Sequence, residues 1–380
     1  MQIYKWIWFN ILIILAAISC NTSEITIPDD LSIEIIFGGD IELGDSYHLH
    51  SDGGQDSCIF KTNGYDHSFK RIRPLLVSSD VLISNLETPL ATDYPNNKLK
   101  KTKRYLHWCQ PEKAAKILKG IGFDFLSLAN NHILDQGQEG LINTLELLDS
   151  SGIFDFGAGL NVKTAGVPAI IDSSGNNGGI YLIGAFEYVD IYDHMYNFYA
   201  GDNKPGVWKL DENLIKTQIN EIRENDPRAF IILFPHWGGN YQWADDNQKI
   251  LGAKLLDAGI DLIIGHGAHT LQEIENKNGK FIFYNLGNLV MNSPGRYRSS
   301  RALPYSFIVK INLKRVQGKY QIEPRIYPIV SDNRITNYQP QLASLRDMQI
   351  IKKTLEERSI NLVGSLNVMQ DEIGYYLNIK

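Results

Sequence analysis

The chain has 380 residues, 43% of them hydrophobic, and a formal net charge of −6. That length buries a core as one large domain or two smaller ones, and the mild acidity, with no basic cluster beyond 98–104, argues against nucleic acid as a partner. The three cysteines, Cys20, Cys58 and Cys109, lack the spacing of a zinc finger.

Residues 1–19 carry one lysine, Lys5, and an apolar core from Ile7 to Ile18, too short and too early for a membrane span but suited to a signal peptide. Cys20 follows Ala17-Ile18-Ser19 and precedes the polar Asn21-Thr22-Ser23-Glu24. This arrangement resembles the lipobox of a bacterial lipoprotein, with Cys20 as the acylated residue; the alternative is a plain signal anchor in which Cys20 is incidental. Acylation would hold the protein on the extracytoplasmic side of the cell envelope, on a membrane surface it does not span. Residues 20–31, polar and containing Pro28-Asp29-Asp30, read as the tether. A main domain is expected over 32–330, and a more polar C-terminal extension with a helix over 331–380.

Within the main domain, the apolar run from Ile33 ends in Gly38-Gly39-Asp40-Ile41-Glu42, with Asp40 and Glu42 on one side of an extended segment. The insertion over 44–69 is rich in Gly, Asp and His, and its His48, His50 and His67 read as solvated loop residues. The run from Val81 ends in Asn85-Leu86-Glu87. The basic stretch 98–104 reads either as a solvated loop or as a contact surface for a polyanion. Pro111 opens a helix that Gly120 closes, and the run from Phe123 ends in Asn130-Asn131-His132. Leu141, Leu145 and Leu148 share one face of a helix over 140–148. Two strands are expected over 166–184, around a turn at 173–177. The aromatic segment 187–207 is either a lid over substrate or a loop packed on the sheet edge. Amphipathic helices over 211–225 and 245–258 lead into two more runs, ending in His236-Trp237-Gly238 and in Gly265-His266-Gly267-Ala268-His269. Strand patterns return at 280–285 and 305–313, and a terminal helix is expected over 342–357. Cys58 and Cys109 either pair or remain thiols.

Five apolar runs thus end in carboxylate, amide or imidazole. Such runs read as buried strands, and open α/β sheets bind ligands beyond the carboxyl ends of their strands. A layered α/β sandwich is therefore expected, with Asp40, Glu87, Asn131, His236, His266 and His269 converging at one sheet edge. Carboxylate, amide and imidazole donors form a mixed shell suited to Mn, Fe or Zn rather than Ca. The plainer reading, that these groups only stabilise strand ends, is disfavoured because burying several of them without a metal is costly.

Taken together and in order, Gly39-Asp40, Asn85-Leu86-Glu87, Asn130-Asn131-His132, His236-Trp237-Gly238, Gly265-His266-Gly267-Ala268-His269 and Tyr284-Asn285-Leu286-Gly287-Asn288 resemble the CapA family. These are capsule or poly-γ-glutamate synthesis proteins, distantly similar to calcineurin-type metallophosphoesterases. The resemblance implies an α/β/β/α sandwich holding two divalent ions. Asp40, Glu42 and His269 would hold one, Asn131, His236 and His266 the other, with Glu87 bridging. His132 would stand outside the shell as proton donor or oxyanion stabiliser, oriented by Asp135. It further implies a metal-dependent, phosphoesterase-like hydrolase acting outside the cytoplasmic membrane on an anionic capsule polymer or phosphoester, alongside a membrane synthase complex. The alternative is a non-catalytic, polymer-binding accessory lipoprotein whose metal is structural. Three positions depart from the pattern: Glu42 stands where metallophosphoesterases carry histidine, Glu87 where they carry aspartate, and Gly267 where many CapA relatives have a further histidine.

Overall fold

The structure, a computed structural model, describes residues 32–44, 59–172 and 178–379. The segment 1–31 with Cys20, the histidines His48 and His50, Cys58, and the turn at 173–177 lie outside the described residues.

Strand β1 (Ser32–Ile41) is apolar on both sides: Ile33, Ile35 and Phe37 point one way, Ile36 and Ile41 the other. It lies parallel to β2 (Val81–Leu86), which pairs with β3 (Phe125–Ser127) and then β4 (Phe154–Phe156). Helices α1 (Pro111–Ile121) and α2 (Gly137–Ser150) form the crossovers before and after β3. Helix α1 runs one residue past Gly120, and Gly122, at φ +109°, closes it.

The chain then builds a second sheet from β5 (Ala169–Asp172), β6 (Ile180–Glu187), β7 (Phe230–His236), β8 (Leu262–Ile264), β9 (Ile274–Lys277) and β10 (Lys280–Phe283). Its order is β9-β10-β8-β7-β6-β5. Helices α3 (Glu212–Asn225) and α4 (Asp246–Ala258) precede β7 and β8, and the side chains of Asp211 and Asp245 cap their first turns. Each such cap contributes ~1 kcal/mol to helix stability.

Strand β11 (Asn288–Val290) returns to the first sheet beside β1. It is followed by β12 (Tyr305–Val316), β13 (Lys319–Val330), helix α5 (Leu345–Arg358), β14 (Leu366–Gln370) and β15 (Tyr375–Ile379). The first sheet runs β14-β15-β13-β12-β1-β2-β3-β4. The segment after 330, expected as an extension, is built into this sheet. Met348, Ile351 and Leu355 of α5, with Leu366 and Leu377 of the last two strands, enter the core between the sheets.

Three apolar layers define the architecture. Between the sheets, Ile35, Phe37, Ile83 and Phe125 meet Ile232, Phe234, Leu262, Ile264 and Phe283. Outside the first sheet, Ile36, Leu82 and Leu126 pack on Leu118 of α1 and Leu141 and Leu148 of α2. Outside the second, Ile231, Leu233 and Ile263 pack on Ile215 and Ile219 of α3 and Leu255 of α4. The result is the expected helix–sheet–sheet–helix sandwich, an α/β/β/α order. No described helix is long and apolar enough to cross a membrane.

The two sheets meet at their carboxyl edges. Asp40 is in register with Asn85 of β2 and Asn288 of β11, and His236 at the end of β7 bridges to His266. Gly39 permits the join: a Cβ there would lie 1.7 Å from the Gly287 carbonyl oxygen, which accepts a 3.0 Å hydrogen bond from the Asp40 amide.

Candidate metal centre

Asp40, at the end of β1, is fully buried and lies at the middle of the cluster. Its Oδ1 is 3.1 Å from His266 Nδ1 and 3.9 Å from His236 Nδ1, and it accepts a 2.9 Å bond from the Asn85 side-chain amide. Its Oδ2 accepts from the Gly267 backbone N–H at 3.0 Å and lies 3.6 Å from His269 Nδ1. Ligand-capable atoms of Asp40, His236 and His266 group within 4.8 Å of one another, as do those of Asp40, Glu87 and His269. Glu87 Oε1 also lies 3.9 Å from His236 Nε2. The two groups therefore share Asp40, and Glu87 of one lies near His236 of the other.

Burial alone would push the Asp40 carboxyl up, but the His266 hydrogen bond and the neighbouring imidazoles hold it well below the usual carboxylate range. Glu87 goes the other way: burial, then the charges of Asp40 and Glu42, push it well above its ordinary value. Burial also keeps His236 and His269 neutral, the form that ligates metal.

Both Glu87 oxygens, the Asn131 side-chain oxygen and His266 Nε2 are buried without a hydrogen-bond partner. Orphaned polar atoms of this kind are rare in folded proteins and call for a bound group. All four can act as acceptors or lone-pair donors in a site with three carboxylates, so a cation would satisfy them. These residues fit the implied divalent metal.

The remaining expected residues are placed as follows. Glu42 lines the same cavity but turns aside, its Oε1 3.0 Å from His107 Nδ1 and accepting from the Gly44 backbone N–H at 3.2 Å. Asn131 donates to the Tyr192 hydroxyl at 3.4 Å, which leaves its carbonyl oxygen for the centre. His132 and Asp135 meet as expected, with His132 Nδ1 2.6 Å from Asp135 Oδ2. A histidine at 267 would be strained here: the glycine φ is +103°, and a Cβ would lie 2.9 Å from the His236 ring, which would have to shift.

Several positions around the site escaped the sequence reading. Lys103 is not part of a solvated loop: its ammonium is buried against Asp135 Oδ1, 3.2 Å from His132 Nδ1, and lies over the rings of Tyr192 and Phe198. The His107 ring lies 4.1 Å from that of His132, tilted by 51°, and its backbone N–H donates to Asp135 Oδ2 at 2.7 Å. Asn130 fixes the turn that carries Asn131 and His132, accepting from the His132 and Ile133 amides while donating to Asn85 and the Leu86 carbonyl. Asn288 pairs with His269 Nδ1 at 2.9 Å. The aromatic segment is packed rather than free: Tyr192 and Tyr199 sit on Phe186, whose ring meets the edge of His236 at 5.5 Å. Lys103 was hidden in a run of exposed lysines, and His107 in a loop without periodicity.

A family model described as bacterial capsule synthesis protein PGA_cap matches residues 34–293. The chain is 29% identical over 301 residues to the PGA biosynthesis protein CapA of Bacillus subtilis, covering 79% of this chain and 72% of that one. It is 29% identical over 237 residues to the capsule biosynthesis protein CapA of Bacillus anthracis, covering 61% of this chain and 55% of that one. Among solved structures, a phosphatase from Mycoplasma pneumoniae aligns over 84% of this chain and 97% of that chain, with a TM-score of 0.42 and 12% identity.

Proposed function

We propose that this chain, which belongs to the bacterial capsule synthesis protein PGA_cap family, is a metal-dependent phosphoesterase-type hydrolase serving capsule polymer synthesis or export. The observation that carries the reading is Glu87: a buried carboxyl with both oxygens unpartnered, beside Asp40 and three imidazoles. Asp40, Glu87, Asn131, His236, His266 and His269 would hold two ions of Mn, Fe or Zn, whose chemistry when bound is Lewis-acid polarisation of a phosphoryl oxygen.

The rest falls to the chain's own side chains. Burial and the Lys103 charge depress His132, so its imidazole is neutral at neutral pH. With Nδ1–H donated to Asp135 Oδ2, the lone pair sits on Nε2, and the ring lines the cavity. These contacts favour proton acceptance at Nε2 first, and donation to the leaving oxygen afterwards. Lys103 holds Asp135 in the orientation that fixes this tautomer.

Elemental analysis of purified protein, with turnover of bis-p-nitrophenyl phosphate before and after chelation, tests the reading. Bound transition metal and chelator-sensitive hydrolysis are expected. Bound metal with no phosphoester turnover would instead favour the polymer-binding accessory role, which the engagement of Glu42 by His107 also suits.

Tethering to the outer face of the membrane through Cys20 is part of the same proposal, supported by the apolar run and small residues before it. Cys20→Ala is expected either to release the protein from the detergent phase or to leave it unprocessed, with an altered mass in both cases. Unchanged partitioning and mass would remove lipid attachment from the account.

A further inference from the structure

The cavity above the centre is not acidic throughout. Glu42, Glu87, His132 and His269 line it, and so do Tyr241, Asn240, Ser293 and Arg296. The Arg296 guanidinium lies 5.6 Å from the Tyr241 ring centroid and meets no carboxylate among the described residues. An exposed arginine of this kind is ordinarily a surface side chain resting on an aromatic ring. What distinguishes Arg296 is how firmly its platform is fixed to the centre.

Tyr241 is 7% exposed, and its backbone N–H donates to the Ala268 carbonyl at 2.6 Å. Its ring stands edge-on to Tyr297 at 4.9 Å and lies 5.6 Å from the ring of His269. The Tyr297 hydroxyl accepts from Asn288, the same residue that pairs with His269. Tyr241 and His269 both adopt the left-handed backbone region, at φ +59° and +60°. Non-glycine residues are strained there and persist where the surroundings over-determine them, as at ligand sites. The row Arg296–Tyr241–His269 therefore sets a cation at the same cavity as the metal centre, with no carboxylate paired to it among the described residues.

We infer that Arg296, held over Tyr241, forms a second anion subsite that receives a carboxylate or phosphate group of the substrate other than the reacting phosphoryl. A guanidinium resting over an aromatic ring keeps its paired N–H groups available for two oxygens of one such group. The inference rests on the hydrolase reading for the identity of the reacting group, and it narrows the substrate to an ester with at least two anionic groups. Arg296 would discriminate between substrates rather than take part in the chemistry, because it is in neither of the ligand groups around Asp40 and makes no contact with the His132–Asp135 pair.

Calorimetric titration with two matched, non-hydrolysable probes separates this inference from that reading. Phenylphosphonate carries only the group for the centre, whereas 4-carboxyphenylphosphonate adds a carboxylate on the far side of the ring. Wild-type protein, metal-loaded as purified, is expected to bind the carboxylated probe about tenfold more tightly, the scale of one charge-assisted contact. Arg296→Gln is expected to bring the two probes within about twofold of each other without changing affinity for phenylphosphonate, and Arg296→Lys to keep part of the preference. Equal binding of the two probes by the wild type, no binding of either, or a preference that survives in Arg296→Gln with an unchanged melting temperature would overturn the subsite. Failure of the hydrolase reading shows separately, as absent turnover with the binding preference intact.

Discussion

Replacing His266 with alanine is expected to lower metal affinity by about 100-fold or more, since removing even an outer partner of a metal ligand costs about 10–100-fold. The side chain is fully buried, its Nε2 has no protein partner, and its Nδ1 reaches Asp40 Oδ1 at 3.1 Å. Alanine removes a donor and also leaves Asp40 short of a hydrogen bond, so part of any loss could come from the fold. Glu87→Gln resolves this, because it keeps the volume and removes only the charge. In metal-free protein Glu87→Gln is expected to be at least as stable as the wild type, since it relieves a buried carboxyl pushed well up by burial and by its acidic neighbours. In metal-loaded protein the order should reverse, because an ion that binds only the folded state stabilises it in proportion to its affinity. Chelator competition for affinity, with melting curves in both states, checks both halves. Wild-type affinity in His266→Ala, or the same stability order with and without metal, would remove the metal from this cluster.

Much of this site was legible in the chain because the fold repeats one device. A buried strand must stop where its apolar run stops, and in parallel sheets the residues just past the carboxyl ends share an edge. Asp40, Glu87, Asn131, His236, His266 and His269 could therefore be placed together by reading where five apolar runs end. The layered order followed from amphipathic helices between strands that are apolar on both faces. The C-terminal strands escaped for the opposite reason: β13 begins at an exposed edge, where Lys319, Gln321 and Glu323 alternate with half-buried Tyr320 and Ile322, and no uniform run marks it. Lys103 escaped because composition describes a run of residues, whereas burial is decided one side chain at a time. Its neighbours Lys98, Lys100 and Lys101 belong to an exposed turn, while Lys103 turns inward to a carboxylate 32 positions away. Asn85 and Asn130 stood within quoted motifs, yet their role is visible only in the chain of bonds from the Asn130 turn through Asn85 to Asp40.

His132→Ala separates chemistry from scaffolding. His132 belongs to neither of the ligand groups around Asp40; its ring instead joins Asp135 and His107, with the Lys103 ammonium alongside. Removing it is expected to leave metal content unchanged and to lower turnover by roughly 10²–10⁴-fold, the usual contribution of a positioned proton-transfer group. Asp135→Asn should lower turnover in the same direction but by less, because the imidazole remains while its hold on the Nδ1 proton weakens. Asn also removes the charge that Lys103 faces at 6% side-chain exposure, so a fall in melting temperature is expected for Asp135→Asn and not for His132→Ala. Elemental analysis, kcat and melting curves on the three proteins read these effects independently. Polymer production in cells supplies the deciding comparison. A His132→Ala strain that makes polymer normally while a His266→Ala strain does not would mean that the metal shapes a binding surface, and the hydrolase reading would give way to the accessory one. Loss of production in both, with metal lost only from His266→Ala, is the result expected of an enzyme whose proton transfer runs through His132 Nε2.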